Sequence, residues 1–286
     1  MTVAFLGLGN LGRAIACRLI DRGVALTVWN RTHGKAEGLD VDVAESATEA
    51  AFAADNAVIL CLTDSDAVAA VFARPGFLDA CKGKVILDVT TNHPDRVLDF
   101  HRQATEAGAA YVECPVAGSV IPALTGSLVV LCSGEESAVS RVRPLLDHLG
   151  TTIHYLPEPG HATRMKLVNN LALGTIMTTL AEAVELGEAA GLPRDTVVDI
   201  LGAAGGESLV MRAKAAKLKG RDWSPHFSVA MVRKDLRYLL ELAASLGREA
   251  RTGEASAELY DRAIAAGLGD DDFSAVADVA SRPVED

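Results

Sequence analysis

The sequence predicts an α/β protein in two parts. A doubly wound, mostly parallel sheet occupies residues 1–160, and an all-α domain, residues 161–286, follows through one long interdomain helix. Three observations predict this. Short β-branched or apolar runs alternate with helical stretches through the first half, the pattern of parallel strands joined by crossover helices. A glycine-rich turn links the first strand to the first helix. After Pro157-Glu158-Pro159-Gly160 no convincing strand follows, and a long apolar helical run begins.

The strands are expected at residues 3–6, 26–29, 57–60, 85–88, 110–113, 128–132 and 152–155. Between them, helices are expected at 11–21, 47–53, 65–72, 94–107 and 136–148. The long helix spans 161–190 and stops at Gly191, with Pro193 opening the next. Its apolar residues Leu167, Val168, Leu171, Leu173, Ile176, Met177, Leu180 and Val184 cover more than one face, which places it in the middle of a helical domain. Further helices are expected at 196–201, 208–218, 229–246 and 254–266, with a short one near 273–280. There is no internal repeat and no low-complexity tether, so the boundary reads as a hinge.

A length of 286 residues suits two domains, each able to bury a core. With 49% hydrophobic and 23% charged residues the composition is that of a globular protein, and with 5% aromatics the packing falls to alanine and aliphatic side chains. A net charge of −11 argues against a nucleic-acid binder, which must neutralise phosphates. The five cysteines (Cys17, Cys61, Cys81, Cys114, Cys132) form no C-x-x-C pair, and the seven histidines show no metal-ligand spacing. Neither a disulfide framework nor a metal site is expected, and a reducing cytoplasm is the natural location. The first residues lack a basic n-region and a cleavage site, and the longest other apolar stretch, 171–181, is half a bilayer span. A soluble protein with no membrane segment is expected.

Residues Gly7-Leu8-Gly9-Asn10-Leu11-Gly12 read G-x-G-x-x-G directly after a strand and at the opening of a helix. In this Rossmann-type context Gly7 permits a tight turn, Gly9 lets backbone approach a pyrophosphate, and Gly12 lets helix and strand lie close. The phosphates would sit at the positive end of the helix. After the second strand, where an acid would bind the ribose hydroxyls of NAD, the sequence is Asn30-Arg31-Thr32. Arg31 can stack on adenine and pair with a 2′-phosphate, with Thr32 and Asn30 as donors, so NADP(H) is expected over NAD(H).

Three further segments carry a resemblance. Glu113-Cys114-Pro115-Val116-Ala117-Gly118-Ser119 runs on to Thr125-Gly126-Ser127-Leu128. Gly160-His161-Ala162-Thr163-Arg164-Met165-Lys166 continues to Asn170, and Lys234-Asp235-Leu236 lies further on. They are similar to the substrate, catalytic and nicotinamide-closing motifs of the β-hydroxyacid dehydrogenase family. That family includes 3-hydroxyisobutyrate dehydrogenases and tartronate semialdehyde reductases. The S-G-S variant and the Asn-Arg-Thr turn lean toward its glyoxylate/succinic semialdehyde reductase group. The resemblance implies that Gly118 and Ser119 meet a substrate carboxylate, that Leu62 and Thr63 border the cofactor ribose, that Thr91 sits by the nicotinamide, and that Lys234 closes over it. Ala117 stands where the family usually has serine, Ser119 replaces its second glycine, and Ala162 replaces the second glycine of the catalytic motif.

The chemistry also follows from the residues. Lys166 and Asn170 are four apart and project from one helix face. Hydride addition to a carbonyl leaves an alkoxide that needs a proton, and a lysine partly buried beside a cofactor has its pKa lowered toward neutrality. Asn170 can bond the substrate or hold the lysine. The expected activity is NADP-dependent hydride transfer between NADPH and a small carbonyl acid of glyoxylate or succinic semialdehyde type, giving a hydroxy acid. The alternatives are 3-hydroxyisobutyrate dehydrogenase and, from another class, a non-catalytic NADP-binding sensor or scaffold. An imine reductase shares the architecture, but Lys166 argues against it. A homodimer or homotetramer is implied by the resemblance.

Overall fold

The computed structural model describes residues 2–32 and 34–280. Met1, His33 and residues 281–286, which fall inside the two expected domain ranges, lie outside the described residues. The chain divides into two compact units, Met1–Lys166 and Leu167–Asp286.

In the first unit β1 (Thr2–Leu6), β2 (Ala25–Trp29), β3 (Asp42–Val43), β4 (Ala57–Leu60), β5 (Val85–Asp88) and β6 (Ala110–Glu113) form one sheet in the order β3-β2-β1-β4-β5-β6. Every pairing in it is parallel. The connections are α1 (Asn10–Asp21), α2 (Ala47–Ala53), α3 (Ser65–Phe72), α4 (Phe77–Ala80) and α5 (Pro94–Glu106). Strand side chains alternate between faces, and both faces are buried. Val3, Phe5, Ile59 and Leu87 pack with Ile15 and Leu19 of α1. Ala4, Leu6, Val58, Leu60 and Ile86 pack with Ala47 and Ala50 of α2, Val68 of α3 and Phe100 of α5. That double cover is why the strands read as unbroken apolar runs.

The strand order reverses between β1 and β4, the place where such sheets open a crevice at their carboxyl edge. The register aligns Leu6 with Trp29 and with Leu60, Leu60 with Asp88, and Asp88 with Glu113. Five strands thus end on one row, and the loops leaving that row stand side by side.

Not all expected strands join this sheet. β7 (Val116–Ala117), β8 (Val129–Cys132) and β9 (Thr152–Tyr155) make a second, three-stranded sheet, antiparallel at β7/β8 and parallel at β8/β9. Pro115 follows β6 closely and has no N–H to donate to a ladder, so the chain leaves the first sheet there. Two helices belong to this part, α6 (Val120–Thr125) and α7 (Glu136–Leu149). The elements β3, β7, α4 and α6 went unforeseen because two to six residues are too few for a period to show.

α8 (His161–Ala189) begins in the first unit and continues into the second. The second unit then contains α9 (Arg194–Ala203), α10 (Leu209–Gly220), α11 (Val229–Ser245), α12 (Arg251–Ala265), a 3₁₀ turn at Phe273–Val276 and α13 (Ala277–Ala280). Its core joins Met177, Leu180, Ala181 and Val184 of α8 to Val229, Val232 and Leu236 of α11 and to Ala257, Tyr260 and Ala263 of α12. Of the apolar residues expected inside, Leu171, Leu173 and Ile176 are partly buried and Val168 is exposed. α8 is long and apolar enough, by length and composition, to cross a membrane, which the shorter run 171–181 does not suggest. Within the second unit its Met177, Leu180, Ala181 and Val184 are buried in this core, while Val168 and Leu186 are exposed.

Candidate active site

The first loop on the shared row is built around three missing β-carbons. Gly7 has φ +106°, and a Cβ there would lie 2.2 Å from the carbonyl oxygen of Cys61. A Cβ on Gly12 would lie 2.1 Å from the carbonyl oxygen of Gly7, so only glycine lets α1 approach the turn. A Cβ on Gly9 would meet nothing within 4 Å beyond its chain neighbours and the helix's own backbone, so the space on that side of the backbone is open. Gly9 caps α1 without any side-chain hydrogen bond, and no acid sits in the first turn. An anion is therefore favoured at that helix end, and the residues fit a dinucleotide pyrophosphate. Leu8 is buried, Leu11 half-buried and Asn10 exposed. The Cys61 thiol beside this loop is pushed up to about 12 by burial, with Asp88 adding to the shift, so it is no nucleophile.

The side chain of Asn30, expected as a phosphate donor, braces the glycine loop. Its Oδ1 accepts from the backbone N–H of Leu8 at 2.8 Å, and its Nδ2 donates to the carbonyl of Thr32 at 2.9 Å. The carboxamide thus ties the glycine loop to the next turn. Arg31 and Thr32 are exposed on that turn. Arg13 of α1 clamps the following residues by donating to the carbonyls of Lys35 and Glu37 at 2.7 and 2.9 Å.

Leu62 and Thr63 follow β4, and Thr91 follows β5, on the same edge. The two loops are stitched together: the backbone N–H of Leu62 donates to Thr90 Oγ1 at 3.0 Å. Beneath them Asp88 accepts from the Thr90 N–H at 2.8 Å, from Asn92 Nδ2 at 2.8 Å and from the Tyr111 hydroxyl at 2.5 Å. Burial pushes the Asp88 carboxyl above its usual range against these bonds.

Lys166 lies on α8, one turn past its start, and is only 7% exposed. The first turn of that helix is held by two buried side chains. Glu113 accepts from the N–H groups of Gly160 and Thr163, and Ser133 Oγ accepts from Ala162 N–H at 2.7 Å. In the second unit Asn170 is 1% exposed, and its Nδ2 donates to Asp235 Oδ2 at 2.5 Å. Lys234 Nζ pairs with Asp235 Oδ1 at 3.2 Å. Asp235 thus collects two of the expected site residues. Gly118, with φ +124°, is exposed in the turn after β7, and a Cβ there would press on Leu128 and Pro122. Ser119 stands at the start of the short α6.

Asp88, Glu113 and Asp235 were not singled out from the sequence as site residues. The available signal was an acid closing an apolar strand, in VILD and AYVE, where a solvated carboxylate is not expected. Among the described residues no cluster of His, Cys, Asp and Glu could hold a metal ion.

Known proteins resemble this one over nearly the whole chain. Residues 2–156 match the NAD binding domain of 6-phosphogluconate dehydrogenase, and residues 160–280 match the NAD-binding domain of NADP-dependent 3-hydroxyisobutyrate dehydrogenase. The chain is 32% identical over 280 residues to glyoxylate/succinic semialdehyde reductase 1 of Arabidopsis thaliana, covering 96% of this chain and 97% of that protein. The chain belongs to the β-hydroxyacid dehydrogenase family. Another member of the family, 2-(hydroxymethyl)glutarate dehydrogenase of Eubacterium barkeri, is 30% identical over 96% of this chain and 93% of its own. A solved structure of Psf3 in complex with NADP+ and 2-OPP superposes with a TM-score of 0.90 at 30% identity, covering 98% of this chain and all of that one (100%). As a β-hydroxyacid dehydrogenase the chain is an oxidoreductase acting on CH–OH groups with a nicotinamide dinucleotide.

Proposed function

We propose that this dehydrogenase uses NADP(H) and interconverts small carbonyl acids, of glyoxylate or succinic semialdehyde type, with their hydroxy acids. The observation that carries the reading is Lys166, an amine withdrawn from bulk water on a helix whose start is clamped by buried acceptors. When bound, the nicotinamide supplies or receives the hydride.

The glycine loop and the start of α1 hold the pyrophosphate, and Asn30 keeps that loop in shape. With no acid in the Asn-Arg-Thr turn, Arg31 and Thr32 take the 2′-phosphate. Leu62, Thr63 and Thr91 border the ribose and nicotinamide from the neighbouring loops of the first unit. In the reductive direction Lys166 gives its proton to the oxygen that gains negative charge as the carbonyl is reduced. In reverse the neutral amine takes the hydroxyl proton. Asn170, oriented by Asp235, acts with Lys166 on the substrate oxygen. Gly118 N–H and Ser119 receive the carboxylate, since Ala117 has no side-chain donor.

A second reading is 3-hydroxyisobutyrate oxidation, favoured by the family description that matches residues 160–280. We also read the chain as a soluble, cytoplasmic homodimer or homotetramer. Its five thiols are unpaired, and Leu186, Ile200 and Leu209 are exposed on the second unit.

The test follows consumption of NADPH, and separately of NADH, with glyoxylate, succinic semialdehyde and related keto acids, and the reverse reaction with 3-hydroxyisobutyrate. Turnover with NADPH and an aldehyde acid is expected. Arg31→Ala should weaken NADPH far more than NADH. Lys166→Ala should lose turnover while keeping NADPH binding. Tight NADPH binding with no turnover on any substrate would favour the sensor or scaffold, and an active Lys166→Ala would remove the proton donor from this account.

A further inference from the structure

Glu113 ends β6, and its carboxylate is the meeting point of four donors. Oε1 accepts from the ring Nε2 of His101 at 3.0 Å and from Gly160 N–H at 2.5 Å. Oε2 accepts from the N–H and the hydroxyl of Thr163, at 3.0 and 2.6 Å. The side chain is 1% exposed. The first N–H groups of a helix lack partners within it, and an anion there is further favoured by the helix dipole. Here the anion comes from a strand end 50 residues earlier. Burial pushes the carboxyl up, but the bonds from His101, Thr163 and Gly160 outweigh it and hold the group below its usual range. The cap is therefore a charged one.

Lys166 follows Thr163 by three residues, about 4.5 Å further along the axis and on the same helix face. An uncapped first turn frays, and fraying here would carry the amine with it. We propose that Glu113 is a positioning residue for Lys166: with Thr163 and His101 it pins the first turn of α8 to the carboxyl edge of the sheet and so sets where the amine stands. The inference rests on the role given to Lys166 above. A displacement of about 1 Å at a proton donor is enough for a hundredfold loss in rate, so a cap that touches no substrate can still govern turnover.

The test is steady-state kinetics on the full-length enzyme, with NADPH and whichever of glyoxylate or succinic semialdehyde is turned over faster. Thr163→Val removes one hydroxyl donor and no charge. It should lower kcat roughly tenfold, leave the KM for NADPH within about twofold, and be rescued by Thr163→Ser. Glu113→Gln turns an amide toward donors and should lower kcat further. Should that variant not fold, the Thr163 pair decides alone. In a Lys166→Ala background, Thr163→Val should cost the residual turnover nothing more, because the positioned group is gone. Wild-type kcat in Thr163→Val, or an undiminished loss in the Lys166→Ala background, overturns the inference while the role of Lys166 stands. Wild-type turnover in Lys166→Ala alone overturns both.

Discussion

Gly9 and Gly12 are three residues apart in one loop, yet the structure gives them different reasons to be glycine, and the two alanine variants should separate folding from binding. At Gly9 a methyl group meets nothing within 4 Å, and φ −67°, ψ −175° is ordinary extended backbone for alanine. Gly9→Ala should therefore fold with an unchanged thermal midpoint. Its methyl would instead occupy the open space where we place the pyrophosphate. Losing one charge-assisted hydrogen bond to a phosphate costs about 1.5–3 kcal/mol, which is roughly a ten- to hundredfold rise in Kd for NADPH. At Gly12 the added carbon would lie 2.1 Å from the Gly7 carbonyl oxygen and 3.4 Å from the Cys61 sulfur. Relieving the first contact requires helix and turn to part by about 1 Å, an overpacking cost of about 1–3 kcal/mol. The midpoint of Gly12→Ala should then fall by roughly 2–4 °C per kcal/mol, with no ligand present. Thermal melts of the apo proteins and fluorescence titrations with NADPH measure both quantities. Native NADPH affinity in Gly9→Ala would refute the pyrophosphate cradle, and an apo midpoint lowered as far as in Gly12→Ala would refute the open space around Gly9.

Three further outcomes are expected. Asn30→Ala leaves the Leu8 N–H without its acceptor and should weaken NADPH and NADH alike, roughly tenfold; a change confined to NADPH in a cofactor titration would return Asn30 to the 2′-phosphate. Asp235→Ala strips the buried partner from both Asn170 and Lys234 and should destabilise the protein by about 3–5 kcal/mol, with Asp235→Asn milder; urea melts would show it, and an unaltered midpoint would contradict the pairing. The Glu113 carboxyl is held below its usual range, so its contribution is present above the unfolded value of about 4.3 and is lost as pH falls through the lower folded value. Asp88, pushed up by burial, has the opposite sign and favours the fold on protonation. Stability measured from pH 7 downward should therefore fall off more shallowly in Glu113→Gln and more steeply in Asp88→Asn than in the wild type.

Much of the cofactor site we propose was readable in the sequence because its logic is local. A glycine turn between strand and helix, the absence of an acid after Trp29, and two residues four apart on a helix are read within a few positions of one another. The two-part architecture was legible for a related reason: strands covered on both faces and a helix apolar on several sides leave their mark on every stretch of the chain. What tertiary structure alone decided is where the buried acids reach. Tyr111 meets Asp88 across 23 residues, Thr163 meets Glu113 across 50, and Asn170 meets Asp235 across 65. It also decided that Asn30 braces a loop and that the strands after Pro115 build a second sheet. A carboxylate in a sequence carries no sign of its partner. Whether it is solvated, or buried and bonded, depends on which distant donors the packed sheet brings within hydrogen-bond distance, because only those bonds offset the cost of taking the charge out of water.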